Sequence, residues 1–222
     1  MNPNSSQPSK SSQSRSTRSR LALWLVIAVC VAPVIASYVV YYGVRPEARS
    51  NHGVLLEPQV DVAALPITVI EKPSKESGFL DVLERLPKDD PRGALEVTSD
   101  FRGRWLLVRV GPSACDEACL LQLRDMRQIR LATGRDRDRI ERLWLVTDAS
   151  PVSLPEEFEG TWVIRISKRE LADWPTEAGE PLHEQLFIID PLGKLIMRFP
   201  KGYEAKGLKN DLTRLLKASR VG

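Results

Sequence analysis

Histidine and cysteine are both scarce in this chain, and their scarcity narrows the chemistry that it can perform. The 222 residues include two histidines and three cysteines. Two histidines do not readily support a Ser-His-Asp arrangement, and the sequence contains neither a His-Glu-x-x-His motif nor a glycine-rich phosphate loop. Without these signatures of hydrolases and nucleotide-binding proteins, the cysteines become the main candidates for chemistry.

An excess of charge of one sign is also missing from most of the chain. The net charge is +3, and it comes largely from residues 1–20, which contain Lys10, Arg15, Arg18 and Arg20 but no acidic residue. That segment is too polar to bury a core, so it is predicted to be a disordered basic tail. The remainder mixes both signs without a basic stripe, which argues against nucleic acid as a partner.

One long apolar run is present, and it follows the basic tail directly. Residues 21–43 carry no charge, and about 20 apolar residues suffice to cross a bilayer as a helix. This predicts a transmembrane helix over residues 21–43, with Cys30 as a packing residue inside it. A cleaved signal peptide is the alternative, because residues 34–36 resemble a small-residue cleavage site.

The basic tail also predicts the orientation of this span. Cytoplasmic flanks are enriched in Lys and Arg, so the N-terminus is expected in the cytoplasm and residues 45–222 outside the membrane. The chain is therefore predicted to be a single-pass protein of the cytoplasmic (inner) membrane. In a Gram-negative host its C-terminal part would lie in the periplasm, where disulfides can persist.

The rest of the chain divides by its periodicity. Residues 44–97 are proline-rich and predicted to be a stalk with short elements, whereas residues 98–222 alternate strand and helix patterns. The predicted strands are 104–110, 142–148, 161–167, 185–190 and 194–199, with helices over 117–133 and 206–218. This order predicts an α/β fold in which helices flank a mixed sheet, as in a thioredoxin-like domain.

Cys115 and Cys119 follow the first predicted strand and a Gly-Pro turn. Residues four apart lie on the same face of a helix, so both sulfurs can point to one place. The helix N-terminus favours a thiolate, whereas Asp116 and Glu117 oppose it. The pair is a candidate redox site, a metal site or a structural disulfide.

A metal site at this pair would need further ligands. Soft sulfur ligands favour Cu(I), and an added imidazole makes a three-coordinate site that can also hold Cu(II). His52 lies in the predicted stalk and is expected to be solvated. His183 precedes the strand 185–190, and in a thioredoxin-like fold that loop passes beside the cysteine turn, so His183 is the candidate third ligand.

Four segments together resemble a known family. They are FRGRWLLVRVG (101–111), the Cys-x-x-x-Cys turn, LVTDASP (145–151) and FIIDPLGK (187–194) with a histidine before it. They resemble the Sco family, membrane-anchored thioredoxin-like proteins that act in copper delivery to cytochrome c oxidase. The resemblance covers about residues 98–218, and the single N-terminal anchor agrees with it.

This resemblance implies a copper site made by Cys115, Cys119 and His183. The expected function is that of a copper-binding assembly factor, a metallochaperone more than an enzyme. It would deliver copper to a copper-containing oxidase subunit or reduce the copper-site cysteines of that subunit. The expected partner is this subunit or another assembly factor.

Two other functions remain open from the residues themselves. The chain could be an extracytoplasmic thiol-disulfide oxidoreductase in which Cys115 attacks a partner disulfide and Cys119 resolves the mixed disulfide. It could also be a non-catalytic assembly or scaffold protein with a degenerate thioredoxin-like site.

Overall fold

The computed structural model describes residues 14–43, 51–87, 90, 93–176 and 179–219. The chain divides into two compact units, Met1–Arg49 and Ser50–Gly222, and each is described by itself. The predicted disorder of residues 1–13 lies outside the described residues.

The first unit contains one long helix, α1 (Ser14–Gly43). It begins earlier than the predicted span, so residues 14–20 of the predicted disordered tail are helical. Within it, Ala22–Val39 has a mean hydropathy of 2.4 and is long and apolar enough to cross a membrane. No residue of this window is buried against other parts of the protein, and large side chains such as Trp24 are exposed. This is expected of a surface that faces hydrocarbon.

The second unit contains the remaining helices and strands. In chain order they are β1 (Val54–Asp61), β2 (Thr68–Glu71), α2 (Gly78–Leu83), β3 (Trp105–Gly111), α3 (Glu117–Ala132), β4 (Ile140–Val146), β5 (Thr161–Arg165), β6 (Leu186–Ile189), β7 (Lys194–Phe199) and α4 (Ala205–Ala218). Short 3₁₀ turns, among them Leu182–Glu184, connect several of them.

The strands form one seven-stranded mixed sheet in the order β1-β7-β6-β3-β4-β5-β2. The central pairs β3–β4 and β4–β5 are parallel, and the other four pairs are antiparallel. Helix α3 makes the crossover between β3 and β4, as parallel neighbours require. The predicted thioredoxin-like mixed sheet flanked by helices is confirmed.

Both edge strands come from the segment that the sequence predicts as a stalk. Strand β1 pairs with β7 and strand β2 pairs with β5, so residues 54–71 extend the sheet in both directions. Pro58 made β1 look like a loop, but an edge strand tolerates proline where its missing N–H faces away from the ladder. The exact domain boundaries proposed from the sequence stay predictions.

The core lies on both faces of the sheet because β3 and β4 are buried at every position. Alternate residues of β3, such as Leu106 and Val108, pack with Phe101 and Trp162 on one face. Trp105 and Leu107 point the other way and pack under α3 and α4. We call the face covered by these two helices the helix face.

Strand β4 also buries two adjacent charges, one on each face. Glu141 accepts hydrogen bonds from the Ser77 hydroxyl (2.8 Å), the Phe79 amide (2.8 Å) and the Trp162 indole N–H (3.0 Å). Burial raises the pKa of Glu141, and these three donors oppose the rise. Arg142 pairs with Glu76 at 3.0 Å on the helix face, so both charges attach the 76–79 segment to the sheet.

Candidate functional site

The cysteine turn lies where β3 ends and α3 begins. Strand β3 stops at Gly111, and Asp116 caps α3 by accepting a hydrogen bond from the Cys119 amide at 2.9 Å. The capping carboxylate satisfies one of the free amides of the first turn. The cap therefore holds Cys119 in the first turn and leaves Cys115 in the turn just before it.

Cys115 and Cys119 are joined by a disulfide, with their Cα atoms 5.2 Å apart. Cys115 is partly exposed, whereas Cys119 is only 2% exposed and packs against Leu123 and Trp144. The structure thus brings the two predicted site cysteines together, and Cys115 is the more exposed residue of the pair.

Asp148 connects this turn to the end of β4. Its carboxylate accepts hydrogen bonds from the backbone amides of Ser113 (2.9 Å) and Ser150 (3.1 Å). The Thr147 amide also donates to the Gly111 carbonyl at 3.1 Å, which extends the parallel pairing by one residue. The hydrogen bond from the Ser113 amide is the main cause that lowers the pKa of Asp148.

His183 lies in the 3₁₀ turn before β6 and is exposed. A β-carbon placed on Gly111 would lie 3.3 Å from the His183 β-carbon, so the histidine stands beside the strand end that leads to the cysteines. It lines a cleft of about 610 Å³ together with Gly111, Pro112 and Asp148. Its role as a ligand stays a prediction.

The oxidised pair does not form a metal site as it stands. Within the residues that the structure describes, no group of three His, Cys, Asp or Glu side chains is arranged to hold a metal ion. Each sulfur is bonded to the other, so any copper site with these cysteines first requires reduction of the disulfide.

The other histidine, His52, has a structural partner. Its ring lies 3.3 Å from the Asp211 carboxylate of α4, which also accepts the backbone amides of His52 (2.6 Å) and Gly53 (2.8 Å). Asp211 is 1% exposed, so it is a buried acceptor that attaches the start of β1 to α4. The sequence predicted a solvated histidine in a stalk; His52 is exposed, but its contact with Asp211 was missed.

A buried cation that the sequence did not predict as part of the site lies on β3, the strand that leads to the cysteine turn. Arg109 is 2% exposed on the helix face of β3, and its guanidinium carbon lies 4.8 Å above the Trp144 ring. Its Nε donates to Gln122 Oε1 at 3.1 Å. Burial lowers the pKa of Arg109 to about 10, and Asp116 opposes this, so the group remains charged at neutral pH. The sequence signal that could have indicated this buried cation is an arginine inside an otherwise apolar strand pattern.

Comparison with known proteins places this architecture in a family. Residues 105–219 match the family described as "Transmembrane-like, thioredoxin-like, C-terminal domain". The chain belongs to this family. The match begins at the first residue of β3 and so contains the cysteine turn, His183 and α4. No curated protein matches the sequence of this family member.

Solved structures of Sco proteins are prominent among the matches to this family member. Yeast Sco1 with copper bound is 15% identical, with a TM-score of 0.45 over 58% of this chain and 88% of that one. Bradyrhizobium japonicum ScoI with copper bound is 17% identical, with a TM-score of 0.40 over 55% and 92%. Apo Sco1 from Thermus thermophilus is 14% identical, with a TM-score of 0.45 over 78% and 98%.

The hydrogen bond from Ser113 to Asp148 generates a prediction about the cysteine turn. We expect Asp148→Ala to raise the exchange rate of the Ser113 amide by about tenfold at pH 7, because its acceptor is removed. Hydrogen exchange of the full chain, followed on fragments that contain Ser113, measures this. Asp173→Ala, at an exposed aspartate after β5, is the matched control.

The same contact has a pH dependence whose sign is set by the lowered pKa of Asp148. Its stabilisation is fully present above the ordinary aspartate pKa of 3.8 and is lost as the pH falls through the lowered value. The difference between wild type and Asp148→Ala should therefore shrink only under acidic conditions. An equal effect of Asp173→Ala at pH 7 would contradict this role of Asp148.

Proposed function

We propose that this chain is a membrane-anchored thiol-disulfide protein that acts in the assembly of a copper site. The observation that carries the proposal is the Cys115–Cys119 disulfide, in which Cys115 is a partly exposed residue and Cys119 a buried one. The Cys115 thiolate of the reduced chain attacks a disulfide of the partner, and one partner thiol leaves. The Cys119 thiol then displaces the second partner sulfur from Cys115, so the partner becomes a dithiol and this chain acquires the Cys115–Cys119 disulfide.

A purely structural role explains this disulfide less well. A bridge stabilises a protein mainly by closing a loop in the unfolded chain, and a loop of a few residues contributes little. The cap at Asp116 already fixes the first turn of α3. The helix N-terminus also favours negative charge on a sulfur, which assists exchange chemistry.

The membrane anchor sets the place of action in this proposal. The basic residues before Ala22 keep the N-terminus in the cytoplasm, and the thioredoxin-like domain lies outside. In a Gram-negative host that compartment is the periplasm. The partner is a copper-containing cytochrome c oxidase subunit, or another assembly factor, whose cysteines must be reduced before they accept copper.

Copper delivery is the second candidate function, and the position of His183 favours it. The reduced pair supplies two thiolates, and His183 stands beside Gly111 at the same end of the sheet. Two thiolates and one imidazole form a donor set that suits copper. In this form of the proposal copper is the cargo, and it passes to the partner as each incoming thiolate replaces one ligand.

Thiol-disulfide exchange predicts a reversible disulfide. With Cys30→Ser as background, we expect the full chain in detergent micelles to equilibrate with a dithiol buffer at a midpoint above about −300 mV, because structural disulfides lie below that value. Gel shifts after thiol alkylation report the reduced fraction. A midpoint below this value would argue for a structural bridge.

The matched pair Cys119→Ser and Cys115→Ser refines this measurement. Cys119→Ser leaves the partly exposed sulfur, which should form a mixed disulfide with glutathione disulfide. Cys115→Ser leaves the buried sulfur, which should react about tenfold more slowly, because access controls the rate.

Copper binding predicts a different pattern among variants. We expect the reduced chain to hold a single Cu(I) against a competing chelator, and to lose it in Cys115→Ala/Cys119→Ala. His183→Ala should weaken binding by about tenfold or more, since even the residues that orient ligands have effects of that size. His52→Ala is the control, because it removes the other imidazole. Equal Cu(I) affinities for the two histidine variants would show that His183 is not a copper ligand.

A further inference from the structure

The side chain of Arg109 is held in place beneath the first turn of α3. Its Nε is bonded to Gln122, its guanidinium lies over Trp144, and a β-carbon on Gly111 would lie 2.7 Å from Nη2. Because Gly111 has no β-carbon, the guanidinium can occupy the space beside it. These three contacts direct the charged end of Arg109 toward the end of β3, where the cysteine turn begins.

The guanidinium nevertheless keeps an unused donor. Among the described residues, the buried Nη1 of Arg109 has no hydrogen-bond partner. Leaving a buried donor unsatisfied costs free energy, and more so when the group is charged. Arg142, the other fully buried arginine of the sheet, also has two buried nitrogens without a partner in the part of the chain that the structure describes, but its Nη2 pairs with the Glu76 carboxylate. Arg109 has no ion pair of this kind within that part of the chain. Arg109 therefore carries a cation whose full stabilisation requires a further negative group nearby.

Cys119 lies on the same side of α3 as one partner of this cation and in the same buried cluster as the other. Gln122 follows Cys119 by three residues, which places both on one side of α3. Trp144, over which the guanidinium lies, packs in the same buried cluster as Cys119. The two partners that hold Arg109 thus also adjoin Cys119.

We propose that Arg109 stabilises the negative charge that the Cys119 sulfur acquires when the disulfide opens. The inference rests on the proposed thiol-disulfide function. A thiolate of a dithiol donor attacks the Cys115 sulfur, the bond between Cys115 and Cys119 breaks, and its electron pair goes to the Cys119 sulfur. The second donor thiol displaces Cys115, so the donor is oxidised to a disulfide and the chain gains two electrons.

The nearby acidic residues oppose this effect, but their position limits them. Asp116 and Glu117 are exposed, so water and salt screen their repulsion of a thiolate. Arg109 is buried and screened much less. A buried charge that adjoins a thiolate changes an equilibrium by about tenfold or more. The attraction from Arg109 therefore outweighs the repulsion from the two carboxylates.

The test compares two buried arginines on the helix face. In the full chain with Cys30→Ser, we expect Arg109→Met to make the disulfide about tenfold harder to reduce, which equals a fall of about 30 mV in its reduction potential. Cleavage by dithiothreitol should slow by a similar factor. Arg109→Lys keeps the charge and should remain near the wild type. Arg142→Met removes a buried cation away from the cysteines and should leave the potential unchanged.

Each result either supports or overturns the proposed role of Arg109. Equal potentials for Arg109→Met and the wild type would overturn the proposal, as would equal shifts in Arg109→Met and Arg142→Met. If Arg109→Met fails to fold by near-ultraviolet circular dichroism, Gln122→Met is measured, because it releases the guanidinium. An unchanged potential there would also overturn the proposal. If the wild-type disulfide does not equilibrate at all, the failure lies with the proposed function and not with Arg109 alone.

Discussion

The parallel pairing of β3 with β4 is the constraint on which the rest of the site depends. Its register places Gly111 opposite Val146, and the Thr147 amide continues the ladder to the Gly111 carbonyl. Both strands are buried at every position, so a slip of one residue would exchange the two faces of the core. That register fixes the end of β3, and with it the place from which the cysteine turn departs.

Three groups meet at this strand end because of that register. Asp148, just beyond β4, is within reach of the Ser113 amide, and the turn before β6 places His183 beside Gly111. Arg109 lies two residues before Gly111 and faces α3. The same few backbone positions therefore fix where the cysteine turn, the turn with His183 and the buried Arg109 stand relative to the end of β3.

The sequence predicts what depends on local periodicity and misses what depends on distant pairing. The strands β3 to β7, helix α3 and the cysteine turn follow from patterns within a few residues of each other. The edge strand β1 was missed because its proline and exposed residues resemble a loop until β7 is placed beside it. Likewise, the partners of Glu141, Arg109 and His52 lie on other elements, such as Asp211 for His52. Nothing in the local sequence names them.

The central claim is that the Cys115–Cys119 pair changes its oxidation state as part of its function. The most direct measurement is thiol trapping in cells that express the full chain with Cys30→Ser, by acid quenching and alkylation before and after a pulse of oxidant. The account predicts a population with reduced Cys115 and Cys119 that disappears during the pulse and returns afterwards. A pair that is fully oxidised before, during and after the pulse would contradict it and leave a structural bridge.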